Sequence, residues 1–96
     1  MAVQAVYFSD KDGLDMALKH PETLLFSNKA DADARDKVLE LSEEIREFLT
    51  RKVEGLNEET ADRCALAIAE SKDLFQKALK KPSLLLLLSL SLSRLL

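Results

Sequence analysis

Apolar side chains recur through the middle of the chain at the spacing of two amphipathic helices. Steps of 4, 3, 4 and 3 residues, which keep side chains on one helical face, separate Ala34, Val38, Leu41, Ile45 and Phe48. A second apolar face, interrupted by Ser71, is formed by Ala61, Cys64, Ile68, Phe75, Ala78 and Leu79. The pattern predicts helices at about residues 28–54 and 57–81 that pack as antiparallel neighbours through these faces.

Local signals mark the ends of both helices. Asn28 and Asn57 are favourable N-cap residues, and acidic side chains follow each of them in the first turn, where the helix dipole favours negative charge. Gly55 is a natural C-cap for the first helix, and Pro82 ends the second. The two helices are therefore joined by only a few residues.

The residues before the first helix favour a β-hairpin. Residues 3–8 are rich in β-branched and aromatic side chains, and the strong turn signal of residues 9–13 follows them. Residues 14–18 fit either an extended strand or one helical turn, His20 and Pro21 break a helix, and residues 23–26 form a second short strand. The predicted fold class is α+β, an N-terminal β-hairpin followed by an antiparallel pair of amphipathic helices.

The last fourteen residues differ in composition from the rest. Nine of the residues in 83–96 are Leu and four are Ser. The segment is shorter than the roughly 20 residues that cross a bilayer, so no membrane contact is expected. We predict one domain over residues 1–82 and a low-complexity tail over residues 83–96.

Charge and cysteine content limit the partners and the compartment. The net charge is −3, so attraction to a nucleic-acid backbone is not favoured, although Lys72, Lys77, Lys80 and Lys81 give the second helix a basic end. A single cysteine allows no intrachain disulfide, and the N-terminus does not resemble a secretory signal. Both features favour a cytoplasmic protein.

The residues that most often carry catalysis are few. His20 is the only histidine, and beside Pro21 we expect it to be an exposed loop residue. Cys64 lies on an apolar helical face without a neighbouring base to activate it, so we expect a small buried hydrophobe. We predict no catalytic residues and no enzyme activity.

Three acidic clusters are also better explained without a ligand. A calcium-binding EF-hand loop needs glycine and glutamate at fixed positions, where the segment that starts at residue 31 has Asp36 and Ser42. The segment at residues 10–13 contains Gly13 but has Lys19 in place of the glutamate. Glu43, Glu44 and Glu47 are typical of a solvated helical face, on which Glu47 also precedes Arg51 by four residues as a favourable pair. No metal or cofactor is therefore predicted.

Several segments carry a family resemblance. The run of residues 25–40, which reads LFSNKADADARDKVLE, resembles the signature segment of the YebG family of small bacterial proteins. The opening residues 1–7 and the later residues 66–73 are similar to it as well, in the same order along residues 1–82. The resemblance implies synthesis in response to DNA damage under the SOS repressor, and it carries no active-site residues over to this chain.

Two segments depart from the family pattern. Residues 17–23 look like an insertion between the strands, and the Leu/Ser tail replaces a polar, often acidic one; it arises either from a shifted reading frame or as a genuine low-complexity tail. The sequence thus predicts a small accessory protein of the SOS response that acts by contacts with an unidentified protein, with nucleic-acid binding as the alternative. Pairing of two copies through the amphipathic faces stays open.

Overall fold

The computed structural model describes residues 3–94, with side chains through residue 89, and this part of the chain is helical. The helices are α1 (Leu14–Lys19), α2 (Pro21–Leu24), α3 (Lys29–Lys52), α4 (Glu58–Glu70), α5 (Lys72–Lys80) and α6 (Leu84–Arg94). The two longest, α3 and α4, form the antiparallel pair that the apolar pattern predicts.

The predicted β-hairpin is wrong, and so is the α+β class. In place of two strands, the described residues contain one isolated antiparallel bridge, in which the N–H groups of Tyr7 and Phe26 each donate to the other's carbonyl oxygen at 2.8 Å. The residues between them form α1 and α2. Pro21 begins α2 instead of preventing it, because the first turn of a helix needs no N–H from its residues.

The predicted N-caps of α3 and α4 are confirmed, whereas α3 ends earlier than predicted, with Val53 as its C-cap in place of Gly55. Asn28 Oδ1 accepts the N–H of Asp31 and Asn57 Oδ1 accepts the N–H of Thr60, both at 2.8 Å. Gly55 lies in the connection with φ 81°, a left-handed conformation that glycine adopts without steric cost. These local signals fix the hairpin's connection where the sequence places it.

The second predicted helix, over residues 57–81, is two helices in the structure. Ser71 has φ −105° and ψ 21°, and its N–H donates to the carbonyl of Ile68, three residues earlier, at 3.0 Å. Serine is a weak helix former because its hydroxyl competes for backbone hydrogen bonds. The chain changes direction there, and α5 packs mainly against α6 instead of continuing the pairing with α3.

The core between α3 and α4 is built from small side chains. Ala61, Ala65 and Ala69, spaced four residues apart on one face of α4, are fully buried. Ala32 is the only buried residue of α3. Alanine allows two helices to approach closely because interaxial distance depends on the side chains at the contact. Ion pairs bridge the hairpin beside this contact.

The apolar face predicted to be the core side of α3 is not buried. We call Ala34, Val38, Leu41, Ile45 and Phe48 the α3 stripe. Leu41 and Phe48 remain 37% and 57% exposed, and Val38 and Ile45 are half-buried. The prediction fails because the alanines of α4 pack against a neighbouring face of α3. The larger side chains of the α3 stripe therefore lie beside the contact instead of inside it.

The molecule is elongated. Its radius of gyration is 16.0 Å, against about 12–13 Å for a compact chain of this length. Beyond Ser71, α5 and α6 form an arm, and a groove of about 440 Å³ between the arm and α4 is lined in part by Ile68, Phe75 and Leu85. The Leu/Ser tail thus contributes a helix that lies on its own chain.

Candidate functional site

The turn at residues 9–12 is fastened to α3 by polar side chains alone. We call the set of contacts the clasp. It consists of three pairs between the turn and α3: Ser9 with Asp36, Lys11 with Glu43, and Asp12 with Arg35. Each partner on α3 lies 23 or more residues along the chain from its partner in the turn. The clasp therefore determines how the N-terminal residues sit on the helical hairpin.

Arg35 is the centre of the clasp. Its Nε and Nη2 donate to the two carboxylate oxygens of Asp12 at 2.9 and 3.0 Å, and its Nη1 lies 3.3 Å from Glu70 Oε2 on α4. This two-pronged geometry is the strongest form of an arginine–carboxylate pair. One guanidinium group thus connects the N-terminal turn with both helices of the hairpin.

The central pair is largely shielded from water. The side chains of Arg35 and Asp12 are 18% and 9% exposed. The hydrogen bond with Asp12 raises the pKa of Arg35, against the opposing effect of desolvation, and the negative charges of Asp12 and Glu70 raise it further. Breaking a largely shielded pair from one side is destabilising, because the remaining charge is left uncompensated.

The outer contacts of the clasp differ in burial. Ser9 is buried, its hydroxyl donates to Asp36, and it accepts the N–H of Lys11 at 3.2 Å. Lys11 Nζ lies 3.0 Å from Glu43 Oε1 at the surface, and this hydrogen bond raises the pKa of Lys11. Gly13 closes the turn with φ 86°, which a residue with a Cβ adopts only with strain.

The clasp holds a unit that exposes apolar side chains. We call residues 3–26 the N-terminal unit. Only Ala17, Leu24 and Ser9 are buried in it. Five large apolar side chains of the N-terminal unit are between 46% and 99% exposed: Val3, Val6, Leu14, Met16 and Leu18. A concentration of exposed apolar side chains is a usual mark of a protein-contact surface.

The structure separates the two residues considered for catalysis. His20 is exposed between α1 and α2, as expected, and its carbonyl accepts the N–H groups of Thr23 and Leu24 at 3.1 and 2.9 Å. Cys64 is exposed on α4, so its predicted burial is wrong; the alanine face lies to one side of it. Neither side chain forms a hydrogen bond or an ion pair with any described residue.

The acidic clusters have the structural roles expected of them, with one addition. Asp31 lies in the capped first turn of α3, and Glu47 forms the predicted pair with Arg51 at 3.2 Å. The turn at residues 10–13 also forms as predicted, but the sequence did not reveal that Asp12 and Glu43 belong to the clasp. The only sequence signal for the clasp was the presence of the base Lys11 and the acid Asp12 in a turn that also needs Gly13.

The lysines predicted to form a basic end of the second helix lie along α5 and directly after it. Lys72, Lys77 and Lys80 of α5, and Lys81 just after it, are exposed, and none forms an ion pair with a described residue. Among the residues that the structure describes, no three His, Cys, Asp or Glu side chains are grouped as metal ligands. Nor does any helix of residues 3–94 combine the length and hydropathy that crossing a membrane requires.

Comparison with known proteins gives one match. Residues 1–81 match the family model described as YebG protein. No curated protein and no solved structure matches the chain. The matched residues contain the N-terminal unit, the clasp and the helices α3 to α5, and they end before α6. Because the match spans most of the chain, the protein belongs to the YebG family.

Proposed function

We propose that this protein is a non-enzymatic accessory protein of the bacterial DNA-damage (SOS) response that acts in the cytoplasm by binding another protein. Membership of the YebG family supports the cellular setting, since that family is made in response to DNA damage. The observation that carries the mode of action is the apolar surface of the N-terminal unit, held in place by the clasp.

The clasp makes this surface suited to recognition. Apolar side chains that are fixed before binding lose less conformational entropy on association than side chains on a free segment. The two-pronged contact of Arg35 with Asp12 and the buried Ser9 fix the turn from which α1 extends. The N-terminal unit thus offers Leu14 and Leu18 to a partner in one defined orientation.

The proposal is tested by capture of partners from cells before and after DNA damage, with the full chain as bait. Leu18→Asp alters the N-terminal unit at a position that is 60% exposed. Leu79→Asp is the matched control, because Leu79 is 85% exposed but lies on α5. We expect a damage-dependent partner that is lost with Leu18→Asp and kept with Leu79→Asp; equal capture by both variants would contradict the proposal.

Binding to nucleic acid is the second candidate, and one observation favours it. The four lysines on α5 and directly after it are exposed without an acidic partner among the described residues, whereas the chain as a whole is acidic. A gel-shift series on single- and double-stranded DNA over a range of salt tests it, because phosphate contacts weaken steeply as salt rises. Binding at low salt that disappears in the Lys77→Ala, Lys80→Ala double variant would favour this function.

A further inference from the structure

The protein exposes more surface than a monomer of its mass needs to. Its accessible surface is 7815 Å² for 10.8 kDa, whereas a compact monomer of this mass exposes about 5,500 Å². The excess is on the order of 2,300 Å², and a standard interface takes about 800 Å² from each partner. The arm of α5 and α6 contributes to the excess, which as a whole is larger than the area that one partner of a standard dimer buries.

The interior supplies little hydrophobic stabilisation to the isolated chain. Of the six buried apolar residues, five are alanines and the sixth is Leu24; no large side chain in the described residues is fully buried. An alanine methyl contributes about 0.8 kcal/mol on burial, against about 1.5–3 kcal/mol for a leucine or phenylalanine. Of the large apolar side chains of α3, Leu41 and Phe48 in the α3 stripe are exposed and the others are half-buried.

The α3 stripe lies between the α4 contact and the charged face of α3, and its Leu41 and Phe48 are exposed. At 100° per residue, the clasp partners Asp36 and Glu43 lie on one side of the α4 contact and the stripe lies on the other. Phe48, the most exposed large side chain of the stripe at 57%, shares a shallow depression with charged residues that include Glu44 and Arg51. An apolar row with charged borders is the usual composition of a helix-to-helix interface.

We propose that two copies of this chain pair through their α3 stripes in an antiparallel arrangement. A two-fold axis makes such a contact self-complementary. In the register that places Ile45 opposite Phe48 of the second copy, Glu44 faces position 49 of that copy, two residues from Arg51, and Leu41 faces Lys52. This register pairs the C-terminal half of the α3 stripe and brings opposite charges together on its border.

The test is sedimentation equilibrium of the full chain. We expect wild type to be a dimer at micromolar concentration and Phe48→Asp to weaken self-association by about a hundredfold. The matched control is Leu79→Asp, which should stay dimeric because Leu79 is exposed on the arm. Unfolding curves establish that both variants fold, since neither position is buried. A monomeric wild type, or a dimer that Leu79→Asp disrupts and Phe48→Asp does not, would overturn the proposal.

The antiparallel register has its own test in charge exchange. Glu44→Arg places two positive charges together, and we expect self-association to weaken about tenfold. The double variant Glu44→Arg, Arg51→Glu restores opposite charges across the interface and should recover most of the loss. Unchanged self-association in Glu44→Arg would show the register to be wrong. Failure of either dimer test leaves capture by the N-terminal unit untouched, because the two surfaces share no residue.

Discussion

The α3–α4 hairpin and the N-terminal unit are held by different kinds of interaction. The hairpin is closed by Ala61, Ala65 and Ala69, which are fully buried. The N-terminal unit is joined to α3 by the charged and polar contacts of the clasp, and most of its large apolar side chains are exposed. One region is a fixed scaffold, and the other is a surface attached to it by a few specific bonds.

Enlarging a buried alanine should break the scaffold and has the largest expected effect. Ala65→Leu adds three carbon atoms to a contact without space, so we expect a loss of about 3 kcal/mol in the free energy of unfolding. Ala67→Leu is the control on the same helix, because Ala67 is exposed. Urea unfolding measures both, and similar values for the two variants would show that the alanine face is not tightly packed.

Removing the centre of the clasp should have the next largest effect. Arg35→Ala leaves the carboxylate of Asp12 without its partner, and we expect a loss of about 2 kcal/mol, somewhat below that of a fully buried pair because Arg35 is 18% exposed. Arg51→Ala, which removes an exposed pair with Glu47, should cost less than about 0.5 kcal/mol. Equal losses would mean that the clasp is an ordinary surface contact.

The smallest effect concerns the outer contact between Lys11 and Glu43. Because folding raises the pKa of Lys11 above its ordinary value of 10.5, the stabilisation is fully present below that value and is lost as the pH rises through the higher, folded value. The stability difference between wild type and Glu43→Gln should therefore shrink above about pH 10.5. Unfolding curves at several alkaline pH values measure it, and a difference that is constant with pH would contradict the assignment.

The distance along the chain between contacting residues explains which parts of the fold were predictable. The caps at Asn28 and Asn57, the pair of Glu47 with Arg51 and the connection at Gly55 all depend on neighbours within a few residues, and the sequence predicts them correctly. The contact between Asp12 and Arg35 joins residues 23 positions apart. No local pattern specifies which of many acids and bases will meet.

The predictions of the core and of the β-hairpin are both wrong because each depended on the local sequence pattern alone. The spacing of large apolar residues predicted Leu41 and Phe48 as core, while the spacing of four between Ala61, Ala65 and Ala69 was the better sign of the buried face. Alanine is a weak marker of burial in sequence, because it is favoured throughout helices. Likewise, residues 3–8 have strand propensity, but the residues that follow them form α1 and α2 instead of a second strand. Only the bridge between Tyr7 and Phe26 remains of the predicted β-hairpin in the described residues.

The difference between scaffold and attached surface is tested most directly by hydrogen exchange of the native full chain, as wild type and as Arg35→Ala. The amides of Tyr7 and Phe26, bonded to each other's carbonyls, should exchange through local opening, with a smaller free energy than the amides around Ala65. Arg35→Ala should speed the exchange of Tyr7 and Phe26 more than that of the amides around Ala65, because it removes the centre of the clasp. If both sets exchange with one free energy and respond equally to Arg35→Ala, the N-terminal unit and the hairpin are a single cooperative body, and the distinction between them is wrong.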